Sequence, residues 1–126
     1  MAVETIRVTE SDKDLLVRLK RTTGIRNWNV LCRWAFCLSL ADDGPTSVDP
    51  RGVDSNVEMT WRVFGGPHAD IYWTLLRTRL VRDGETSLDA PSLERHFYRH
   101  LHRGIGLLSN LSAKPSLHEM LALTTQ

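Results

Sequence analysis

Three histidines stand close together in the second half of the chain, at a spacing that could bind a metal. His96 and His100 lie i, i+4 on one helical face, His102 is near, and Glu94 precedes them. Two histidines so placed can share a metal ion. A zinc-hydrolase motif would put a glutamate directly after the first histidine, but Phe97 stands there. No Cys or Asp cluster elsewhere has a spacing that completes a ligand set. The expectation is therefore no metal, no cofactor, and a solvated basic helix face that charges further as pH falls. Cys32 and Cys37 are five apart within one apolar run and so on different faces of a helix, where they cannot bridge without distortion. Both are expected to be buried thiols rather than ligands or nucleophiles. No nucleophile elbow, phosphate-cradling loop or dinucleotide fingerprint is present. The chain reads as a non-enzyme.

The cations form a stronger constellation. The net charge is only +1 over 126 residues, so any nucleic-acid contact must come from local clustering. Arginine supplies 13 of the 16 basic side chains, which suits phosphate and ion-pair forks. Arg7, Lys13, Arg18, Lys20, Arg21 and Arg26 fall within 20 residues, opposed by Glu10, Asp12 and Asp14. As a patch they would neutralise several phosphates and give salt-sensitive binding with little sequence preference. The competing reading is an ordinary solvated helix face. Amides near Asn27 to Asn29, at the start of the next helix, offer a further anion site.

The elements that position these residues are organised around the stretch 28–41, WNVLCRWAFCLSLA. Its apolar residues cover nearly the whole circumference of a helix, which marks a buried one. It is too short to span a bilayer, and Arg33 interrupts it. Asn27 is the expected N-cap, and Asp42-Asp43-Gly44-Pro45 the stop. One small subunit has little else to wrap around such a helix, so part of its surface is expected to be covered by another copy or a partner.

Before it, residues 3–9 alternate as a strand, with Ile6 and Val8 on one face and Thr5, Arg7 and Thr9 on the other. Ser11 and Asp14 resemble a capping box for a helix over 12–23, with Leu15, Leu16 and Leu19 inward. Gly24 is its left-handed terminator. Strand, helix, turn, helix is the ribbon-helix-helix order, in which the lone strand pairs with its copy in a second subunit and can enter the major groove. A loop follows at 42–56. A second strand is expected over 57–64, with Val57, Met59, Trp61 and Val63 on one face. Helices follow over 67–82 and 91–108, the first burying Ile71, Leu75, Leu76 and Leu80 and gathering Arg77, Arg79 and Arg82 at its end. The second turns Leu93, Phe97, Leu101, Ile105 and Leu108 inward, with Asp89 or Ala90 near its cap. A tail over 110–126 holds a short amphipathic turn at Leu117–Leu123. The fold class is mainly α with one or two short β-strands, in a single domain over 1–126. With no signal peptide and no long apolar run, a cytoplasmic protein off the membrane is expected.

The runs Leu19-Lys20-Arg21-Thr22-Thr23-Gly24-Ile25, Asn29-Val30-Leu31-Cys32-Arg33 and Phe36-Cys37-Leu38-Ser39-Leu40 resemble the DndE family. So do Thr60-Trp61 through Gly65 and His102-Arg103-Gly104-Ile105-Gly106-Leu107-Leu108, so the resemblance extends from about residue 4 to residue 109. DndE is the small subunit of the bacterial DNA phosphorothioation system. The resemblance implies a non-catalytic partner in replacing a non-bridging phosphate oxygen of DNA with sulfur, while a cysteine desulfurase, an iron-sulfur protein and an ATPase carry the chemistry. It further implies a homotetramer that binds double-stranded DNA, prefers nicks, and assembles with the iron-sulfur and ATPase subunits. DNA-binding members of the family lean on surface lysines. Here only Lys13, Lys20 and Lys114 exist, so arginines would have to substitute.

Three rivals use the same residues differently. A ribbon-helix-helix repressor would read base edges with Thr5, Arg7 and Thr9. A metal-dependent nuclease would use the His96/His100 face. A protein-only scaffold would dock its basic face on acidic partners.

Overall fold

The computed structural model describes residues 3–112. The tail beyond Ser112, with Lys114 and the turn expected at Leu117–Leu123, lies outside the described residues. In chain order the elements are strand β1 (Thr5–Thr9), helices α1 (Glu10–Thr23) and α2 (Trp28–Ala41), strand β2 (Asp54–Thr60) and short helix α3 (Trp61–Gly65). A 3₁₀ turn at Gly66–His68, α4 (Ala69–Arg82) and α5 (Ala90–Ser112) complete the described fold. It is mainly helical with two short strands, as expected.

The N-terminal strand–helix–helix order is present, but the ribbon is completed within the chain. β1 runs antiparallel to β2, with Ile6 opposite Met59 and Arg7 opposite Glu58. Ile6 and Val8 are buried on the face the alternation assigned. The pairing slips between Arg7 and Thr9, and there the buried Ser55 hydroxyl donates to the Val8 carbonyl at 2.8 Å. That irregularity turns Thr9 inward, away from the wet face it was expected to share with Thr5 and Arg7. Thr9, not Ser11, caps α1: its hydroxyl accepts the Asp12 amide at 3.2 Å. The helix therefore starts at Glu10, and it ends at Gly24 with φ 76°, the left-handed conformation glycine enters cheaply.

β2 occupies 54–60 rather than 57–64. Thr60 ends it, because its hydroxyl takes the Val63 amide at 3.1 Å and starts α3. Val57, Met59 and Trp61 are buried as the alternation requires, but the change to helical period leaves Val63 exposed. In α4 the buried residues are Trp73, Leu76, Arg79 and Leu80, while Ile71 and Leu75 face outward. The inward set expected for α5 is fully buried, and Asp89 caps it by accepting the Ser92 amide at 2.9 Å. α5 continues past 108 to Ser112, so residues 110–112 belong to the helix rather than to a tail.

The core is aromatic. Trp61 stacks on Trp73 with ring centroids 4.3 Å apart, and Phe36 meets Phe97 at 5.1 Å. α2 and α5 are brought together at Gly104, where an added Cβ would lie 1.8 Å from the Ala35 carbonyl oxygen. Only a residue without a side chain allows this backbone approach. Replacing Gly104 with Ala should cost at least the ~1–3 kcal/mol typical of overpacking, read as a shift in urea midpoint. Gly106→Ala, which meets nothing within 4 Å, should instead gain about 0.5–1 kcal/mol from the lower entropy of the unfolded chain.

Candidate nucleic-acid interface

α2 is less enclosed than its composition implies. Leu31, Cys32, Ala35 and Phe36 are buried, whereas Trp34 is 46 % exposed and Cys37 is also exposed. Burial pushes the Cys32 thiol up to about 12, leaving it inert as a nucleophile at neutral pH. The Cys37 thiol, expected to be buried, lines a surface groove with Trp34, Leu38 and Tyr72. Asn27 stands at the N-cap position but its side chain makes no capping bond. The neighbouring Asn29 amide instead donates to the Val63 carbonyl at 3.3 Å, tying α2 to α3.

The histidines do not form a solvated face. His96 and His100 are buried on α5, because a helix that packs along most of its length turns every third or fourth residue inward. Burial holds the His100 imidazole down to about 4, aided by the Arg79 charge. His96 is lowered by burial too, against the pull of Glu85 at 3.6 Å. His100 Nδ1 shares a 2.8 Å hydrogen bond with the Ser39 hydroxyl. His102 is different: its Nδ1 lies 2.9 Å from both carboxylate oxygens of Asp12, which is itself only 3 % exposed. That bond raises the His102 pKa above its usual value. Among the described residues no group of three or more His, Cys, Asp or Glu gathers closely enough to hold a metal ion.

Arg79 was expected with Arg77 and Arg82 at the C-terminal end of its own helix. It is 5 % exposed and closes the C-terminus of α2. One guanidinium nitrogen donates to the carbonyls of Ser39, Leu40 and Asp42 at 3.1, 2.9 and 2.8 Å. Nε faces Asp83 at 2.9 Å. Arg103 from α5 reaches the same Ser39 carbonyl at 3.0 Å and pairs with Asp42. Carbonyls that a helix end leaves unsatisfied thus receive two buried or half-buried cations.

The cations of the N-terminal half lie elsewhere. Lys20 and Arg26 line one shallow groove of about 390 Å³ with Asn27, Trp28, Asn29 and Glu58. The Lys20 ammonium sits over the Trp28 ring, 3.3 Å from its centroid. Arg7 adjoins through its pair with Glu58, and Lys13 donates to Asn56 at 2.7 Å, two residues along β2. Arg7, Lys13, Lys20 and Arg26 therefore gather along the outer side of β2 and the α1–α2 turn. Arg18 and Arg21 are exposed on α1, and neither lines that groove. The sequence patch omitted Trp28 and Glu58. The alternation of β2 places Glu58 on its wet face, but nothing local shows that it meets Arg7, far earlier in the chain, or shares a groove with Lys20 and Arg26.

The chain matches the family model of DndE, DNA sulphur modification protein DndE, over residues 5–115. It belongs to the DndE family. Its fold is similar to a crystal structure of DndE from Escherichia coli B7A involved in DNA phosphorothioation modification. The TM-score there is 0.68 at 21 % identity, covering 86 % of this chain and 98 % of the other. A glycine-to-lysine DndE mutant involved in DNA phosphorothioation matches with TM-score 0.64 and 20 % identity, over 85 % of this chain and 97 % of that one. No curated protein matches the chain. Among the described residues no helix is long and apolar enough to cross a membrane.

The Asp12–His102 pair has a defined pH signature. A histidine whose folded pKa is raised stabilises the fold fully below its unfolded value of 6.5, and that contribution is lost as pH rises through the folded value. In NMR titrations the His102 midpoint should lie above 6.5 and should fall in Asp12→Asn, while His100 should stay neutral down to about pH 4.

Proposed function

We propose that this DndE-family protein is a non-catalytic DNA-binding and scaffolding subunit of the phosphorothioation machinery. It holds duplex DNA by its backbone phosphates with little sequence preference, favours nicked duplex, and works as a homo-oligomer, a tetramer, alongside the iron-sulfur and ATPase subunits. The observation that supports DNA holding best is the gathering of Arg7, Lys13, Lys20 and Arg26 along one surface. Their partners in the free protein are exposed or neutral: Glu58, Asn56 and the Trp28 ring. Exposed pairs of this kind are worth about 1 kcal/mol or less, so a phosphate can replace them at small cost. The geometry also disfavours base reading by β1, since β1 pairs with β2 of the same chain and Thr9 is buried as a helix cap. Self-assembly is supported by apolar side chains left on the outside of α2 and α4, with Trp34, Ile71 and Leu75 all more than two-fifths exposed.

The test replaces Arg7, Lys13, Lys20 and Arg26 together by Ala. Affinity for unrelated duplexes should fall, and the slope of log K against log salt should become shallower by about 0.9 for each phosphate that is no longer neutralised. Nicked duplex should bind more tightly than intact duplex of the same sequence, with light scattering reporting an oligomer. Unchanged affinity and slope in the variant would remove these residues from the DNA surface.

A further inference from the structure

We propose that Trp28 is a stacking platform for an unstacked nucleobase, and that Lys20 covers it until DNA arrives. The inference rests on the DNA-binding reading above. Trp28 opens α2 immediately after the α1–α2 turn, and it is half-buried and packed on the core. Lys20 holds its ammonium over the ring rather than over an acidic partner. Arg26 and the Asn27 and Asn29 side chains line the same groove, which has room for a planar heterocycle once the lysine moves aside.

Each part has a chemical counterpart in a nucleotide with its base turned out. The indole face offers an aromatic surface to a base of any identity, since every base has a π-face. Arg26 and a displaced Lys20 offer cations to the flanking phosphates. The Asn27 side chain, which makes no capping bond, offers a donor and an acceptor to sugar or base edges. Base–aromatic stacking is comparable in strength to a lysine cation–π contact at a half-buried ring, so the two exchange at little cost. The displaced ammonium then gains a phosphate. A base stacked within an intact duplex cannot lie flat on Trp28, so the platform answers to a discontinuity rather than to a sequence.

Binding is compared for three duplexes of one sequence: intact, carrying a single bulged thymine, and carrying an abasic residue in the same bulge. The last two share backbone shape and charge and differ only in the base. The wild-type protein should prefer the thymine bulge over the abasic one by about tenfold, the effect of stacking one base on an aromatic side chain. Trp28→Leu should bring that ratio to near one, and Trp28→Phe, with its smaller ring, should give a value between. Lys20→Gln should weaken binding to all three duplexes and keep the preference for thymine. A wild-type ratio near one, or a ratio unchanged in both Trp28 variants, would overturn the inference while leaving phosphate binding intact. If none of the three duplexes binds at low salt, the DNA-binding reading itself fails and the platform with it. Should Trp28→Leu not fold, the ratio in Trp28→Phe decides alone.

Discussion

Backbone contact between α2 and α5 at Gly104 and Ala35 is the constraint on which the rest of the structure depends. An ordinary side chain at 104 would hold the helices apart, because its first carbon would lie 1.8 Å from a carbonyl oxygen. At the allowed distance Phe36 reaches Phe97, and the aromatic cluster with Trp61, Phe64 and Trp73 closes around them. The same approach carries His100 to Ser39 and Arg103 to the last turn of α2. Apolar packing and the buried polar bonds thus share one geometric origin.

Polar groups at the end of α2 are satisfied by side chains from two other helices. Buried carbonyls without partners would cost several kcal/mol between them, and Arg79 and Arg103 donate to the Ser39, Leu40, Asp42 and Gly44 backbone oxygens. Both arginines are committed to holding the fold. The arginines and lysines near the N-terminal sheet have the opposite character, being exposed or half-buried, and those with a partner meet only an exposed carboxylate, an amide or an aromatic ring. Charge alone does not separate these two sets; burial and acceptor geometry do.

In a chain with a net charge of +1, a cationic surface depends on how the basic side chains are distributed. β1 and β2 bring Arg7 beside Glu58, α1 lays Lys13 and Lys20 along that sheet, and the turn at Gly24 returns Arg26 to the same side. The exposed apolar side chains of α2 and α4, Trp34, Ile71 and Leu75, do not line that cationic groove.

Local residue patterns determined most of the elements. Alternation located β1 and the buried side of β2, Gly24 stopped α1, Asp42 to Pro45 stopped α2, and the inward face of α5 was legible residue by residue. These features follow from φ/ψ preference and hydrophobic period, which act within a few residues. The family was legible too, in runs such as Leu19 to Ile25 and His102 to Leu108, and the match over 5–115 agrees with it. Tertiary structure decided what depends on neighbours distant in sequence: that β1 pairs with β2 of the same chain, that Arg79 is a buried clamp, and that His96 and His100 face the core. It also decided that Asp12 is buried against His102, ninety residues away, and that Trp28 and Glu58 complete the cationic groove. A charged or aromatic residue looks the same in sequence whether it meets solvent, a carboxylate or a ring. The packing of α5 across α1 and α2 fixes which of these it meets.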